Sequence, residues 1–148
     1  MGATAIGTAV FCLLIFAVIM MRRVLAKREV EAKSIEPEAL YKLLKRKQVQ
    51  LYDVREPLDF LAHPEIIPGA TRIAPKDIAE RTASFSRDQR SVIYCTGGDE
   101  ETMEMVLGKS RALHFTRVKL LKGGIAAWKE KGYPVEAYSK PFHLDTPV

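Results

Sequence analysis

The sequence predicts an α/β domain in which helices flank a central, mainly parallel sheet, preceded by one transmembrane helix. Three observations carry this expectation. No charged residue occurs from Gly2 to Met21. Beyond Ser34, short β-branched or aromatic runs alternate with stretches of helical spacing. One of those runs ends at Cys95, followed by Thr96, two glycines and an acidic helix start.

The N-terminal stretch comes first. Phe11 to Met21 is almost entirely Leu, Ile, Val, Phe, Ala and Met. At about 1.5 Å per residue, roughly 20 helical residues cover the ~30 Å hydrocarbon core of a bilayer. A helix apolar on all sides has no face to offer water. Residues 3–21 are therefore read as the span, 22–33 as a basic juxtamembrane linker, 34–136 as the folded domain and 137–148 as a C-terminal tail. A cleaved signal would carry basic residues ahead of the apolar run, and none precede it. Acylation at Gly2 would want Ser or Thr where Ile6 stands. Arg22, Arg23, Lys27 and Arg28 crowd the far end of the span. The positive-inside rule then puts the N-terminus outside and the domain in the cytoplasm, with the lipid bilayer as a partner.

Those four cations account for most of the excess of 23 Lys and Arg over 18 acids. The domain itself is close to neutral, so no nucleic-acid partner is expected. Lys42, Lys45, Arg46 and Lys47 read as a solvated helix face. Ala3, Thr4, Gly7 and Thr8 put small residues four apart on the span, a spacing compatible with self-association that leaves the oligomeric state open.

Along the domain, Glu29 to Ser34 reads as a connector. Ser34 or Glu36 precedes Pro37 at a helix start, with Leu40, Leu43 and Leu44 as its apolar stripe. Val49 to Val54 is a β run, Pro57 to Phe60 one helical turn, Thr71 to Ile73 a short extended piece and Pro75 to Arg81 a short helix. Ser91 to Tyr94 reads as a buried strand ending at Cys95. A helix begins near Asp99, its N-cap, and continues through Met103, Val106, Leu107 and Ser110. Val118 to Leu121 is a strand, Gly123-Gly124 a turn, and Ile125 to Lys129 a helix that ends by Gly132. Tyr133 to Val135 leaves the core. Trp128 is a core residue, and His63 and His114 lack any spacing that suggests a metal site or a base.

Cys12 lies in the apolar run and Cys95 in the domain, so neither a disulfide nor a metal site is expected. In open parallel sheets, ligands bind beyond the carboxyl ends of the strands. A cysteine at such an end, with a helix starting just after it, faces unpaired backbone N–H groups that can hold an anionic sulfur. Gly97 and Gly98 let that backbone curl inward. The plain alternative is a small residue packed at the end of a strand.

Four segments in order add to this. They are Asp53-Val54-Arg55-Glu56-Pro57, Ile67-Pro68-Gly69-Ala70, Ile93-Tyr94-Cys95, and Leu121 to Trp128 with Gly132-Tyr133-Pro134-Val135. With them, the chain from about Ser34 to Val135 resembles the single-domain rhodanese, or sulfurtransferase, family. That resemblance implies that Cys95 takes sulfane sulfur from a donor, holds it as a persulfide and passes it to an acceptor thiol or cyanide. It makes Thr96, Gly97, Gly98, Asp99, Glu100, Glu101 and Thr102 the substrate-binding loop. Asp53 and Arg55 become either an ion pair fixing the turn after the strand or a device ordering the loop. No cofactor and no metal is implied. The loop departs from the common pattern: it is acidic, one residue longer, and lacks an arginine. Related cysteine phosphatases need Arg six positions after the cysteine, where this chain has Glu101, which excludes phosphate chemistry. The same acids oppose dianionic thiosulfate, and they leave room for a second reading, a rhodanese-fold binding module that docks a partner at the membrane.

Overall fold

The computed structural model describes residues 2–78, 80, 89–97, 100–112, 115 and 117–140. Helix α1 (Gly2–Lys33) is a single run of 32 residues. Val10, Phe11, Leu13, Leu14, Phe16 and their neighbours up to Leu25 are exposed around its whole circumference, and no protein covers them. The helix is long and apolar enough to cross a membrane. The expected linker is not separate, because helix continues through it to Lys33. From Ala26 onward the helix lies against the domain, with Ala26, Glu29 and Val30 half-buried at i, i+3 and i+4. The Ser34 hydroxyl donates to the Val30 carbonyl at 2.7 Å as the chain turns into β1 (Ser34–Ile35). Ser34 is thus a strand residue, and Glu36 is the N-cap of α2 (Pro37–Lys45), where Pro37 fits because the first helical N–H has no partner to lose.

Next come β2 (Val49–Asp53), α3 (Pro57–Ala62), β3 (Glu65–Ile66), β4 (Thr71–Arg72), a 3-10 turn at Pro75–Asp77, β5 (Arg90–Tyr94) and α4 (Glu100–Ala112). The chain then forms β6 (Val118–Leu121), α5 (Gly124–Glu130) and β7 (Glu136–Ala137). The main sheet has the order β1-β6-β5-β2-β4, and every pairing in it is parallel. β3 and β7 form a separate antiparallel pair.

Residues on β5, and Cys95 just after it, alternate between two buried faces. Ile93 and Cys95 pack with Tyr52, Met103, Val106, Leu107 and Leu120 on the α4 side. Val92 and Tyr94 pack with Leu51, Leu40, Ile125 and Trp128 on the α2 and α5 side. A strand's period of two, covered by helices on both sides, explains why this segment reads as a continuous apolar run. Each aliphatic side chain so buried contributes about 1.5–3 kcal/mol.

Several boundaries differ from expectation. The helix expected over 75–81 is a 3-10 turn of three residues, and part of that range lies outside the described residues. The tail expected from residue 137 begins within β7, and Tyr138 packs edge-on against Phe60, with ring centroids 5.0 Å apart. Tyr133 does not leave the core: it stacks on Tyr41 at 4.5 Å beside Trp128. Residues 141–148 and His114 lie outside the described residues.

Candidate active site

Cys95 directly follows β5, the middle strand of the main sheet, at its carboxyl end. It is 3% exposed. The loop after it is gripped from beneath by α5. The Cys95 carbonyl accepts from the Ile125 N–H at 2.9 Å, and the Thr96 carbonyl accepts from the Ala126 N–H at 3.0 Å. Helix starts carry N–H groups without intrahelical partners, and α5 spends two of them on this loop. Gly124 makes the approach possible. Its φ is +58, and a Cβ there would collide with the Cys95 carbonyl and stand 2.9 Å from the Gly97 nitrogen. No residue with a side chain meets both conditions. On the other side, the Thr96 hydroxyl donates to Asp59 Oδ2 on α3 at 3.4 Å.

The sulfur is also tied within the loop. The Cys95 thiol donates to the Gly97 carbonyl at 3.0 Å. On this side the sulfur meets an acceptor, and the residues expected to turn N–H groups toward it include Gly98 and Asp99. Gly98 and Asp99, including the expected N-cap, lie outside the described residues. A thiolate has no proton to offer that carbonyl, so deprotonation turns an attraction into a repulsion. Glu100 opens α4, Glu101 on its first turn is exposed, and Thr102 and Met103 turn inward.

Asp53 ends β2 in register with Tyr94 of β5, and Arg55 follows in the turn after it. Both side chains are wholly buried. The Arg55 guanidinium donates through Nε to both Asp53 carboxylate oxygens at 3.0 Å and through Nη2 to Oδ2 at 2.6 Å. Its remaining donors reach the His63 carbonyl at 2.9 Å and the Glu65 carbonyl at 2.6 Å. This bidentate fork satisfies the buried charge and clamps the turn onto the 63–65 segment. Tyr94 completes the cluster. Its hydroxyl accepts from the Ile67 N–H at 3.2 Å and hydrogen-bonds Asp53. Burial pushes its pKa far above the ordinary tyrosine value. Asp53 and Arg55 therefore fix the chain around the site, and their bonds go to the scaffold.

Sequence reasoning missed Asp59 and Tyr94, and it read Gly124 only as part of a turn. The Gly-Gly pair at 123–124 was the available signal, since two adjacent glycines before a helix mark a close backbone approach. Among the described residues, no group of three His, Cys, Asp or Glu is clustered as a metal centre requires. A cavity of about 490 Å³ lies at the opposite end of the sheet, lined by Lys33, Val49, Arg90 and Val118. It is remote from Cys95.

Residues 36–131 match the rhodanese-like domain family. A sulfurtransferase from Allochromatium vinosum is 30% identical over 104 residues, covering 70% of this chain and 94% of the relative. An uncharacterized protein from Synechocystis is 29% identical over 101 residues, and the chain spans only about half of it, 54%. Among solved structures, a rhodanese-related protein from Thermoplasma volcanium has 27% identity and a TM-score of 0.58, with 70% of this chain and 97% of that one covered. A full-length Lactobacillus plantarum protein, 19% identical, superposes with a TM-score of 0.68 over 79% and 98% of the two chains, a likeness of fold.

Proposed function

This chain belongs to the rhodanese-like domain family, and from that premise we propose that it is a membrane-anchored sulfurtransferase working through a persulfide on Cys95. The family and the sulfurtransferase relative support the general activity. The observation that carries the finer reading is the seat of Cys95: the carboxyl end of the central strand, on a loop whose carbonyls are held by the start of α5.

The chemistry has two halves. Cys95 gives its proton to solvent, leaves the Gly97 carbonyl and attacks the outer sulfur of a sulfane donor. A new S–S bond forms, the donor's own bond to that sulfur breaks, and the donor fragment departs with the electron pair. An acceptor thiolate or cyanide then attacks the terminal sulfur and releases the Cys95 thiolate. No redox partner is needed, because each step exchanges one bond to sulfur for another. The proposed substrate-binding loop is Thr96, Gly97, Gly98, Asp99, Glu100, Glu101 and Thr102. The acids on this loop make an uncharged or singly charged donor a better fit than dianionic thiosulfate. Helix α1 anchors the domain in the bilayer, and the cations after Met21 orient it toward the cytoplasm.

The test is mass spectrometry of the full chain in detergent after exposure to several sulfane donors. The expected result is one added sulfur atom on Cys95, absent from Cys95→Ser. One observation favours a second reading, a binding module of the same fold. The buried thiol is satisfied by the Gly97 carbonyl, which costs energy to leave. Failure of every donor to load Cys95 would select that reading.

A further inference from the structure

The direction in which α1 leaves the domain has a consequence for the site. The helix descends along α4, running the same way. Ala26 and Glu29 border one hollow with Glu104, Leu107, Gly108 and Arg111, while Glu29 and Lys33 border another with Ser110, Phe115 and Val118. Arg111 pairs with Glu29. Lys33 reaches the amino ends of the strands, beside Val49, Arg90 and Val118. Chain then turns at Ser34 and climbs as β1, parallel to β6. Followed backward from Ala26, α1 must therefore emerge at the carboxyl end of the sheet, where Cys95 lies.

Helical rise sets the levels. Ala26 and Glu104 border the same hollow, and Met21, the last residue of the apolar run, lies about 7 Å further along at 1.5 Å per residue. Glu100, which opens α4 after the Cys95 loop, lies about 6 Å from Glu104 by the same rise. The edge of the span and the Cys95 loop are thus level. The cations Arg22 and Arg23 ring this height, where anionic headgroups begin.

A second observation is independent of α1. Outside that helix, the exposed large hydrophobic side chains among the described residues are Leu58, Leu61 and Met105. Leu58 is 76% exposed. Leu58 and Leu61 belong to α3, which follows the carboxyl end of β2 and touches the Cys95 loop through Asp59 and Thr96. Met105 lies on α4 beside Pro57, where α3 begins. The domain's bare apolar side chains gather at the end from which the span emerges.

We infer that the Cys95-loop end of the domain is a bilayer-facing surface, seated on lipid headgroups by Leu58, Leu61 and Met105. On the sulfur chemistry proposed above, sulfur then enters Cys95 from a persulfide, or leaves it to a thiol, held at the membrane–water boundary. The seating itself rests on the membrane-anchored reading of the chain but not on the sulfur chemistry, so it can be tested without it. The full chain carrying Cys12→Ser and Cys95→Ser is given one fluorophore at Leu58→Cys or Glu56→Cys, or at Gln48→Cys at the opposite end. Each is reconstituted into phosphatidylcholine–phosphatidylglycerol vesicles containing a headgroup-spin-labelled lipid. The expected result is quenching several-fold stronger at residues 56 and 58 than at residue 48. Equal or reversed quenching in chain that floats with the vesicles overturns the inference and leaves the anchor intact. Failure to float overturns both.

Discussion

At the scale of single residues, the site depends on groups that hold backbone in place. Arg55 and Asp53 form a buried pair with no exposed surface. Truncating one partner strands the other's charge in the core, which typically costs about 3–5 kcal/mol. Arg55→Ala should lower the stability of the folded domain by that amount in denaturant unfolding, with the anchor helix still present. Gly124→Ala should act more locally. A left-handed φ costs a non-glycine residue about 1–2 kcal/mol, and the added Cβ pushes on the Cys95 carbonyl. The expected outcome is a displaced Cys95 loop, read as a changed rate of thiol labelling alongside a modest loss of stability. Tyr94 gives a pH signature. Its hydroxyl ionises near 10.0 in the unfolded chain but much higher in the folded one. Above pH 10 the folded state holds the extra proton, so this contribution is intact below that value and declines as pH rises past it. Tyr52 shifts in the same direction. Tyr94→Phe should flatten the alkaline fall in stability. A fall of unchanged steepness would remove Tyr94 as its source.

At the scale of elements, the acidic opening of α4 and the docking of α1 each lead to a prediction. Anionic side chains offset the positive end of a helix by about 0.3–1 kcal/mol each at an exposed site. Glu101→Gln should therefore speed reaction with a dianionic donor by about two- to fivefold and leave a neutral donor nearly unaffected. Equal gains with both donors would mean that charge is not the cause. Val30 is half-buried against the α4-side core, with Arg111–Glu29 and Lys122–Glu31 bridges outside it. Exposed bridges add little, so the apolar contact should dominate. Val30→Asp should raise amide exchange in 26–33 and in the last turns of α4 while strand amides stay protected.

How much was legible follows from these elements. The strands over 49–53, 90–94 and 118–121 were readable because β-branched, aliphatic and aromatic residues, mostly buried, dominate each short run. Cys95 was readable because it ends one of them. The two-residue strands β1, β3 and β7 were not, since pairs that short carry no periodicity and exist through their partners. The helical course of 22–33 was missed because its charges suggested a connector, whereas Ala26, Glu29 and Val30 are half-buried against the domain at helical spacing. Asp59 beside Thr96 is a contact across 37 residues, which no local pattern announces.

At the scale of the whole molecule, one helix has two kinds of surroundings. Its first part is bare on every side, and its last two turns belong to the domain's packing. The helix is unbroken between them, so the proposed anchor would set the height of Cys95 relative to the bilayer through helix geometry. The proposed persulfide carrier would then work at a set distance from the membrane. The most direct test of that carrier is a single-turnover chase. Full chain loaded with sulfur at Cys95 is freed of donor and mixed with cyanide, and thiocyanate is measured against remaining persulfide. The account predicts one thiocyanate released per Cys95 persulfide consumed, with none from Cys95→Ser. Sulfur that stays on the chain, or thiocyanate formed equally by the serine variant, would contradict it.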